Sequence, residues 1–333
     1  MPDGGWLDGC LDTLAGVEVM RRVAAESGGR PPVTLRVVDW ADEEGARFGK
    51  SLFGSSACSG TLDPGEVRGL VDATGVRLPD ALAAVGIDFE RLEDSGRELA
   101  SAAAYLELHI EQGPVLLDLD LPLGAVLGTC GVERHAVTFR GQAAHAGSTP
   151  MDRRRDAFLA AARMAPEVAE IARRSGSGVC TIGSCTTQPG IVTSVVEACR
   201  ITLDQRHLDP AALARMLAEA RTAADRFAAE GGVGVAWEKL QSIPPRPFDP
   251  RLIDLADEAI RETCGTSHRL PSGPLHDAAE MARAGIPTAM LFVQSLHGIS
   301  HNRIEDTRRE HIELAVRALD RLVAKTIQWV AGR

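Results

Sequence analysis

The sequence predicts an α/β protein made of a larger domain, residues 1–130 and 243–333, with a mainly parallel sheet, and a smaller inserted domain, residues 131–242. Helix-like and strand-like segments alternate towards both ends of the chain, which is typical of α/β domains. Between them the segments follow the order β-α-β-β-α-β of a ferredoxin-like sandwich, which is a domain-sized unit. The Pro-rich stretch "SIPPRPFDP" at 242–250 is interpreted as the linker that leaves this insertion.

The larger domain begins with a helix-period pattern and a buried strand. The apolar side of the first helix is predicted to carry Leu14, Val17, Val19, Met20 and Val23. The apolar, β-branched run "VTLRVVDW" predicts a strand at 33–41. Further along, "AAAYLELHIEQGPVLLDLDL" is interpreted as a helix or a strand edge that carries His109, and "PLGAVLGTCGVERHAVTFRG" as extended structure.

The inserted domain and the end of the chain are predicted in the same way. Strand-like "VERHAVTFRG", "GVCTIGSCTTQ", "SVVEACRITLDQRH" and "VGVAWEKLQ" enclose the helical stretches "PMDRRRDAFLAAARMAPEVAEIARR" and "DPAALARMLAEARTAADRFAAEGG". After the linker come the helix "DPRLIDLADEAIRETCG", the loop "LPSGPLHDAAEMARAG" and the strand "PTAMLFVQ". The loop "SLHGISHNRIEDT" then leads to a final helix that ends near Val330.

Composition excludes several classes of protein. A formal net charge of -10 argues against nucleic acid or an anionic membrane as a partner. We find no apolar run of the ~20 residues that a membrane helix needs and no basic-then-apolar leader, so we expect a cytoplasmic protein. The seven cysteines lack CxxC spacing, so neither a disulfide framework nor a cysteine zinc site is indicated.

Potential metal ligands occur in five places, at loops or at the ends of elements. They are Asp8, the pair Glu43 and Glu44, His109, the pair His276 and Asp277, and His301. In open α/β sheets, ligands gather beyond the carboxyl ends of strands, which is where Glu43, Glu44 and His301 are predicted. Mixed imidazole and carboxylate ligands suit zinc, with manganese or cobalt as alternatives.

Each of these residues also has a structural interpretation. Asp8 alone before a glycine is usually a turn or helix-cap residue, and His109 between Leu108 and Ile110 could be a hydrogen-bonded core histidine. The crowded carboxylates in "DEEG" repel one another, so either solvent or a cation must compensate them. Because potential metal ligands occur in all five places together, a bound cation is favoured over solvent.

The motifs together resemble a known family. "DEEGARFGKSLFGSSACSG", "LELHIEQGPVL", "GQAAHAGSTPMDRRRDA", "LDQRH", "SGPLHDAAEMA" and "GISHNRIEDT" occur in the order found in the metal-dependent amidohydrolases of the M20 peptidase family. The sequence is most similar to the branch of N-carbamoyl-L-amino-acid hydrolase, β-ureidopropionase and allantoate amidohydrolase. This resemblance covers essentially the whole chain, and it implies an M20-type catalytic domain with two divalent metals and an inserted lid that forms the homodimer interface.

The resemblance also assigns roles to individual residues. Asp8 would bridge both metals, Glu44 and His301 would complete one site, and His109 would hold the other metal. Glu43 would be the general base that activates the attacking water. Zinc is preferred, with manganese or cobalt as alternatives, and a full-length form would hold up to two ions.

Substrate contacts follow from the same resemblance. Gln112, His145 and Arg206 match positions that grip a small-molecule substrate, and Thr193 and His276 are included in the predicted binding set. A guanidinium at Arg206 suits a carboxylate, because it can bind both oxygens. The structural alternative for Arg206 is a strand arginine that pairs with Asp204 or Asp209.

The sequence departs from the family pattern at several points. The family's first metal ligand, a histidine in a His-x-Asp motif, should stand a few residues before "PDGGWLDG", where this sequence begins. Either the natural protein is longer, which we favour, or the short form is a one-metal or inactive homologue. Relatives commonly have asparagine near Thr193, glycine at His297 and small residues at Pro274 and Leu275, which argues against allantoate as substrate.

The leading hypothesis is therefore a homodimeric hydrolase of a linear C–N amide, with an N-carbamoyl-L-amino acid as the expected substrate. A non-catalytic or single-metal homologue is the second hypothesis. An aminoacylase or aminopeptidase of the wider family is the third.

Overall fold

The computed structural model describes residues 4–332, which divide into two compact units. Residues up to Thr129 and those from Pro247 onward form the first unit, and Cys130–Arg246 forms the second. Residues 1–3 and 333, which the predicted domain ranges include, lie outside the described residues. The interpretation of the second unit as a lid and dimerisation domain stays a prediction.

The described chain contains both helices and strands, and four α-helices precede its first strand. The α-helices are α1 Cys10–Glu26, α2 Phe53–Ser59, α3 Pro64–Val67, α4 Leu78–Ala84, α5 Val115–Asp118, α6 Ala157–Arg174, α7 Pro210–Glu230, α8 Pro250–Cys264, α9 Asp277–Arg283 and α10 Arg309–Ala331. The strands are β1 Tyr105–Ile110, β2 Leu123–Thr129, β3 Gly131–Arg140, β4 Ala144–His145, β5 Val179–Gln188, β6 Ser194–Val195, β7 Ala198–His207, β8 Gly234–Ile243, β9 Arg246–Pro247, β10 Arg269–Ser272 and β11 Thr288–Val293. Short 3₁₀ helices span Phe89–Ser101, Met151–Arg153 and Leu296–Gly298.

The sheet of the first unit is mixed. Its strands lie in the order β1-β11-β2-β10, in which β1 pairs with β11 and β10 with β2 in parallel, whereas β11 and β2 are antiparallel. Leu108 and Ile110 of β1 and Leu291 and Val293 of β11 are almost wholly buried. They form one core with apolar residues of α1, α8 and α10. The predicted α/β class is therefore confirmed, with an antiparallel pair inside a sheet expected to be mainly parallel.

The predicted strand at 33–41 is not formed. Residues 33–40 belong to neither a helix nor a β-ladder in the structure. A β-branched run favours an extended conformation, but a strand also needs a neighbour to accept its backbone hydrogen bonds. None of the described residues provides that neighbour, because the segment makes no backbone–backbone hydrogen bond within residues 4–332.

Two further expectations need correction. The buried side of α1 carries Leu11, Ala15, Val19 and Val23, four residues apart, whereas Leu14, Val17 and Met20 are exposed, so the predicted apolar side was right only at Val19 and Val23. The stretch "LPSGPLHDAAEMARAG", predicted as a loop, contains the end of β10 and the whole of α9. Both elements are short, seven residues or fewer, and too brief to show a hydrophobic period.

The second unit contains the predicted element order β-α-β-β-α-β, with the two-residue strands β4 and β6 added. Its main sheet is antiparallel throughout and has the order β5-β7-β3-β8. Helices α6 and α7 bury Met164, Ile171, Met216 and Phe227 against Phe139 and its neighbours on this sheet. The unit thus has a hydrophobic core of its own.

None of the helices within residues 4–332 combines the length and the apolar character that crossing a bilayer requires.

Candidate metal centre

The loops of the first unit carry most of the potential ligands. Asp8 lies just before α1, Glu43 and Glu44 lie in the turn that begins at Ala41, and His301 lies in the loop between β11 and α10. His109 lies in β1 and is buried. Asp8 and His109 lie near the ends of α1 and β1, and Glu43, Glu44 and His301 lie in loops. The prediction that Glu43 and Glu44 follow a strand is wrong, because no strand forms at 33–41.

The turn that holds Glu43 and Glu44 depends on a glycine. Gly45 has a φ of +67°, a backbone angle that residues with a side chain rarely adopt. A Cβ there would lie 2.5 Å from the backbone nitrogen of Ser51. The backbone N–H of Leu52 donates to the carbonyl of Glu43 at 2.6 Å and closes the turn. A glycine is therefore required for this backbone path, which sets the direction of the two carboxylates.

The carboxylate of Asp8 lies between two histidines. Its Oδ1 is 3.3 Å from Nε2 of His109, and its Oδ2 is 3.4 Å from Nε2 of His301. Nε2 of His301 is also 2.8 Å from Oε1 of Glu44. Ligand atoms of Asp8, Glu44 and His301 all lie within 4.8 Å of one another, so a single cation could contact all three.

The His109 imidazole is held by its other nitrogen. Nδ1 of His109 is 2.8 Å from the backbone carbonyl of Ile110, so this nitrogen carries the proton and donates it. Although burial disfavours the charged ring, the charge of Asp12 and the hydrogen bond to Asp8 raise the pKa of His109, so Nε2 carries a proton towards Asp8 that a bound cation would displace. Metal-binding histidines are commonly oriented by such a bond at the second ring nitrogen.

A buried glutamate supports the same group of residues. Glu305 is 2% exposed, and its carboxylate accepts from the backbone N–H of Asp8 at 3.2 Å, from Ser300 Oγ at 2.6 Å and from the backbone N–H of His301 at 3.3 Å. A Cβ on Gly5 would come within 2.1 Å of the glutamate's Oε1, so a glycine is required beside it. Glu305 thereby ties a loop near the start of the chain to a loop near its end.

The electrostatics of the centre are those of excess negative charge. Burial alone would raise the pKa of Asp8, but its hydrogen bond to His109 and the nearby histidines lower that pKa to about 2. Burial, followed by the charges of Asp277 and Glu44, raises the pKa of Glu43 to about 8. Crowded carboxylates of this kind are stabilised when a divalent cation neutralises them.

Comparison with known proteins identifies the family. The sequence profile of Peptidase family M20/M25/M40 matches residues 2–325. The chain belongs to this family. The M20 chain is 36% identical over 317 residues to a protein of Geobacillus stearothermophilus named N-carbamoyl-L-amino acid amidohydrolase, a match that covers 95% of this chain and 77% of the relative. It is also 32% identical over 318 residues to a protein of Escherichia coli (strain K12) named allantoate amidohydrolase, covering 95% of this chain and 76% of that relative.

A solved structure gives the same result. A Burkholderia multivorans protein described as an amidase of the hydantoinase/carbamoylase family is 34% identical and superimposes with a TM-score of 0.87, covering 98% of this chain and 78% of that one. The M20 chain is therefore a hydrolase, an amidase like the N-carbamoyl-L-amino-acid amidohydrolases. Its family implies a divalent metal, and the group formed by Asp8, Glu44 and His301 fits one.

The surroundings of His109 fit a second cation less fully. Besides Asp8, the carboxylate recorded near Nε2 of His109 within the described residues is Asp12, whose Oδ2 is 3.9 Å away. Oδ1 of Asp12, Nε2 of His276 and Oδ1 of Asp277 are buried and have no hydrogen-bond partner among residues 4–332. These polar atoms are available to a ligand, but among residues 4–332 the carboxylates within 4.0 Å of Nε2 of His109 are those of Asp8 and Asp12.

Two predicted substrate residues lie close to this centre. Gln112 has a φ of +61°, and its Nε2 donates to Oδ2 of Asp8 at 3.1 Å. The buried His276 ring lies 4.4 Å from the His109 ring, centroid to centroid, and its Nδ1 is 4.0 Å from Oε1 of Glu107. Burial, together with the charge of His109, lowers the pKa of His276, so its ring is neutral at pH 7.

The other predicted substrate residues lie in the second unit. His145 and Thr193 are neighbours, since β4 pairs with β6 and the N–H of Ala146 donates to the Thr193 carbonyl at 2.8 Å. Arg206 lies on β7, and its Nε donates to Asp204 at 2.9 Å. Pairing with Asp204 or Asp209 was the structural alternative predicted for this arginine. The substrate roles of these three residues stay predictions.

Sequence reasoning missed Asp12 and Glu305. Asp12 lies one helical turn beyond Asp8, and that spacing was the signal that could have identified it. Glu305 stands within the motif "GISHNRIEDT", but a loop glutamate gives no periodic signal of burial. Its contact with Asp8 joins residues 297 positions apart.

Proposed function

We propose that this amidohydrolase cleaves the ureido C–N bond of an N-carbamoyl-L-amino acid and yields the L-amino acid, ammonia and carbon dioxide. The observation that carries the proposal is the carboxylate of Asp8 between His109 and His301, with Glu44 against His301. The 36% identical relative named N-carbamoyl-L-amino acid amidohydrolase supports this substrate class. Bulky Pro274 and Leu275 in the "SGPLHDA" loop argue against allantoate.

The ligands suit a borderline divalent metal, zinc by preference, with manganese or cobalt as alternatives. Asp8, Glu44 and His301 would hold one ion, and Asp8 and His109 would contribute to a second. Asp8 fits a bridging role because its two oxygens face different histidines. When bound, a divalent cation polarises a carbonyl group and makes a hydroxide nucleophile available at neutral pH.

Glu43 would act as the general base once a bound cation offsets the burial and the neighbouring carboxylates that raise its pKa to about 8. Its carboxylate is adjacent to Glu44 in the chain and belongs with His109 and Asp277 to the wall of one cavity. It would take a proton from the attacking water and return it to the leaving nitrogen, so that the same side chain serves both steps. Gln112, held against Asp8, and His276 would orient the substrate beside it.

The second unit would supply the remaining substrate contacts. We infer that it is a ferredoxin-like lid, that it forms a homodimer, and that His145, Thr193 and Arg206 face substrate in the assembled enzyme. Two bonds to Asp204, from Nε at 2.9 Å and from a terminal nitrogen at 3.4 Å, orient the Arg206 guanidinium.

The test is activity coupled to metal content. The purified chain would be treated with a chelator and then supplied with zinc, manganese or cobalt, and N-carbamoyl-L-amino acids would be compared with allantoate, N-acyl amino acids and dipeptides. We expect activity to disappear with the metal, to return with one of the three ions and to be highest on an N-carbamoyl substrate. Failure to turn over any of these compounds after reconstitution would refute the proposal.

A second candidate is a single-metal or non-catalytic homologue. It is favoured by the incomplete set around His109, in which Asp12 is 3.9 Å away. One bound ion per chain with no turnover would support it, whereas turnover of an N-carbamoyl substrate would exclude the non-catalytic form. Preference for N-acyl amino acids or dipeptides would instead indicate an aminoacylase or aminopeptidase.

A further inference from the structure

Two cysteine side chains are in contact in the second unit. Cys185 lies on β5 and Cys199 on the neighbouring strand β7, and their Sγ atoms are 3.6 Å apart. All seven cysteines of the chain lie within residues 4–332 and carry free thiols. A single thiol packs as a small apolar group, but two thiols in contact can react with an oxidant as a pair.

The register of the sheet places both sulfur atoms on one face. Thr187 is opposite Cys199 and Cys185 is opposite Ile201, so the two cysteines are diagonal neighbours on adjacent strands. Residues two apart along a strand point to the same face, and diagonal neighbours on that face are within reach of each other. The strand pairing itself therefore brings the two thiols together.

The two thiols differ in their access to solvent. Cys185 is exposed, whereas Cys199 is 0% exposed and packs in the core with Phe139 and Ile201. Burial, followed by the hydrogen bond with Cys185, raises the pKa of Cys199 to about 12, so the Cys199 thiol is protonated at pH 7. An oxidant dissolved in water therefore reaches Cys185 first, and Cys199 is the second thiol to react.

Strand β5 can make the movement that a bond between these sulfur atoms requires. A disulfide needs its sulfur atoms about 2.0 Å apart, so the separation of 3.6 Å has to shorten. Strand β5 lies at the edge of the sheet, and its pairing with β7 is irregular between Ile182 and Ser184. Because a strand bends at such an irregularity, β5 can approach β7 at Cys185 while β7 keeps its place in the core.

We propose that Cys185 and Cys199 form a redox-active dithiol, which hydrogen peroxide closes to a disulfide within one chain. In the first step the Cys185 sulfur attacks the peroxide, the O–O bond breaks, one water leaves and Cys185 becomes a sulfenic acid. In the second step the Cys199 sulfur attacks the Cys185 sulfur, the S–O bond breaks, and a second water leaves with the Cys199 proton. The two thiols lose two electrons and two protons, and hydrogen peroxide is reduced to two waters.

The bond closes a ring that contains a predicted substrate residue. Residues 186–198 lie between the two cysteines and include β6 and Thr193. Strand β6 pairs with β4, which carries His145. A cross-link restricts the conformations of the segment that it closes, so oxidation lowers the frequency with which 186–198 opens. This inference concerns the thiols of the second unit and does not depend on the proposed function.

The test uses the full chain, purified in the reduced form, treated with hydrogen peroxide and then alkylated to block the remaining thiols. A protease that cleaves after glutamate separates the two cysteines, because Glu197 lies between them, whereas Glu170 and Glu219 lie outside. We expect fragments 171–197 and 198–219 to be joined, with a mass lower by two hydrogen atoms than their sum, and to separate on addition of dithiothreitol. The thiol count should fall by two, from seven to five.

A matched pair of variants identifies the cysteine of β5 that takes part, since fragment 171–197 also contains Cys180. Cys180 is opposite Gln205 on β7, whereas Cys185 is opposite Ile201 and touches Cys199. We expect Cys180→Ser to keep the cross-link in full and Cys185→Ser to lose it. Because Cys185 is exposed, its replacement by serine should leave the fold intact, which denaturant unfolding would verify.

Hydrogen exchange followed by mass spectrometry tests the ring. We expect the amides of 186–198 to exchange at least about tenfold more slowly in the oxidised chain, with no slowing in peroxide-treated Cys185→Ser. Unchanged exchange in a fully cross-linked chain would refute the restraint on the segment that carries Thr193.

Two results would overturn the dithiol itself. One is a sulfenic or sulfinic acid that persists at Cys185 while Cys199 stays reduced, because the two thiols would then not react as a pair. The other is a disulfide between the Cys185 residues of two chains, which a denaturing gel without reductant would reveal as a band of doubled mass.

Discussion

Replacing Glu305 with alanine should damage the metal centre without touching a predicted ligand. The Glu305 carboxylate accepts from the backbone N–H groups of Asp8 and His301 and from the hydroxyl of Ser300. It thus fixes the positions of two of the three residues that fit a single ion. We expect Glu305→Ala to lower both the free energy of unfolding and the affinity for zinc.

The size of each effect follows from the contacts. The Ser300 hydroxyl keeps a second acceptor, Oδ2 of Asp8 at 3.1 Å, whereas the two backbone N–H groups lose their carboxylate acceptor. Each unpaired buried donor costs about 1–3 kcal/mol, and water entering the polar space reduces that cost, so a loss of ~2–4 kcal/mol is expected. Residues that orient metal ligands typically contribute about 10–100-fold to metal affinity, which we expect for zinc here.

The measurements are denaturant unfolding of the metal-free chain and competition titration with zinc. Glu93→Ala is the control, because Glu93 is exposed, and it should change the free energy of unfolding by no more than ~0.5 kcal/mol. Glu305→Gln should fall between the two, since its amide keeps one acceptor oxygen. If Glu305→Ala unfolds and binds zinc like the unsubstituted protein, our account of how Asp8 and His301 are held is wrong.

Three further substitutions test the "DEEG" turn, with Gly49→Ala as a comparison. Glu43→Gln should keep metal content nearly unchanged while turnover falls by ~10²–10⁴-fold. Glu44→Gln should instead weaken metal binding. Metal analysis and kinetics on both variants would show whether the two roles are reversed. Gly45→Ala should destabilise the turn by the strain of a positive φ, about 1–2 kcal/mol, plus a clash with Ser51 at 2.5 Å, whereas Gly49→Ala, with a φ of +76° and open space around it, carries the strain alone. Equal losses of zinc affinity in these two glycine variants would contradict the role of the clash.

The parts of the fold that local patterns determine were predicted well. Helices α8 and α10 and strand β11 are long or strongly apolar, and the structure forms them within a few residues of the predicted ranges. The element order of the second unit follows for the same reason, because each of its main strands contributes its own alternating face to a self-contained core. Short elements such as β10 and α9 carry too few residues to show a period, so they were missed.

Residues 33–40 show what a local pattern leaves undetermined. "VTLRVVDW" has the composition of a buried strand, but residues 33–40 form neither a helix nor a strand. Whether it becomes a strand depends on hydrogen-bond partners elsewhere in the chain, which the pattern of the segment itself does not encode. Contacts elsewhere in the chain also decide which side of α1 is buried. The apolar side was predicted from the largest side chains, but Leu11 and Ala15 face the core.

The metal centre depends even more on contacts distant in sequence. Asp8 meets Glu305 and Ser300 across nearly 300 residues, so the centre forms only when the loop before α1 and the loop before α10 are brought together. The types of the ligands could be predicted because imidazoles and carboxylates at element ends are recognisable one by one. The residue that holds these loops together could not, because a buried loop glutamate looks like a solvated one until its donors are known. For that reason the alanine variant of Glu305, which is not a predicted ligand, is the sharpest test of how the centre is assembled.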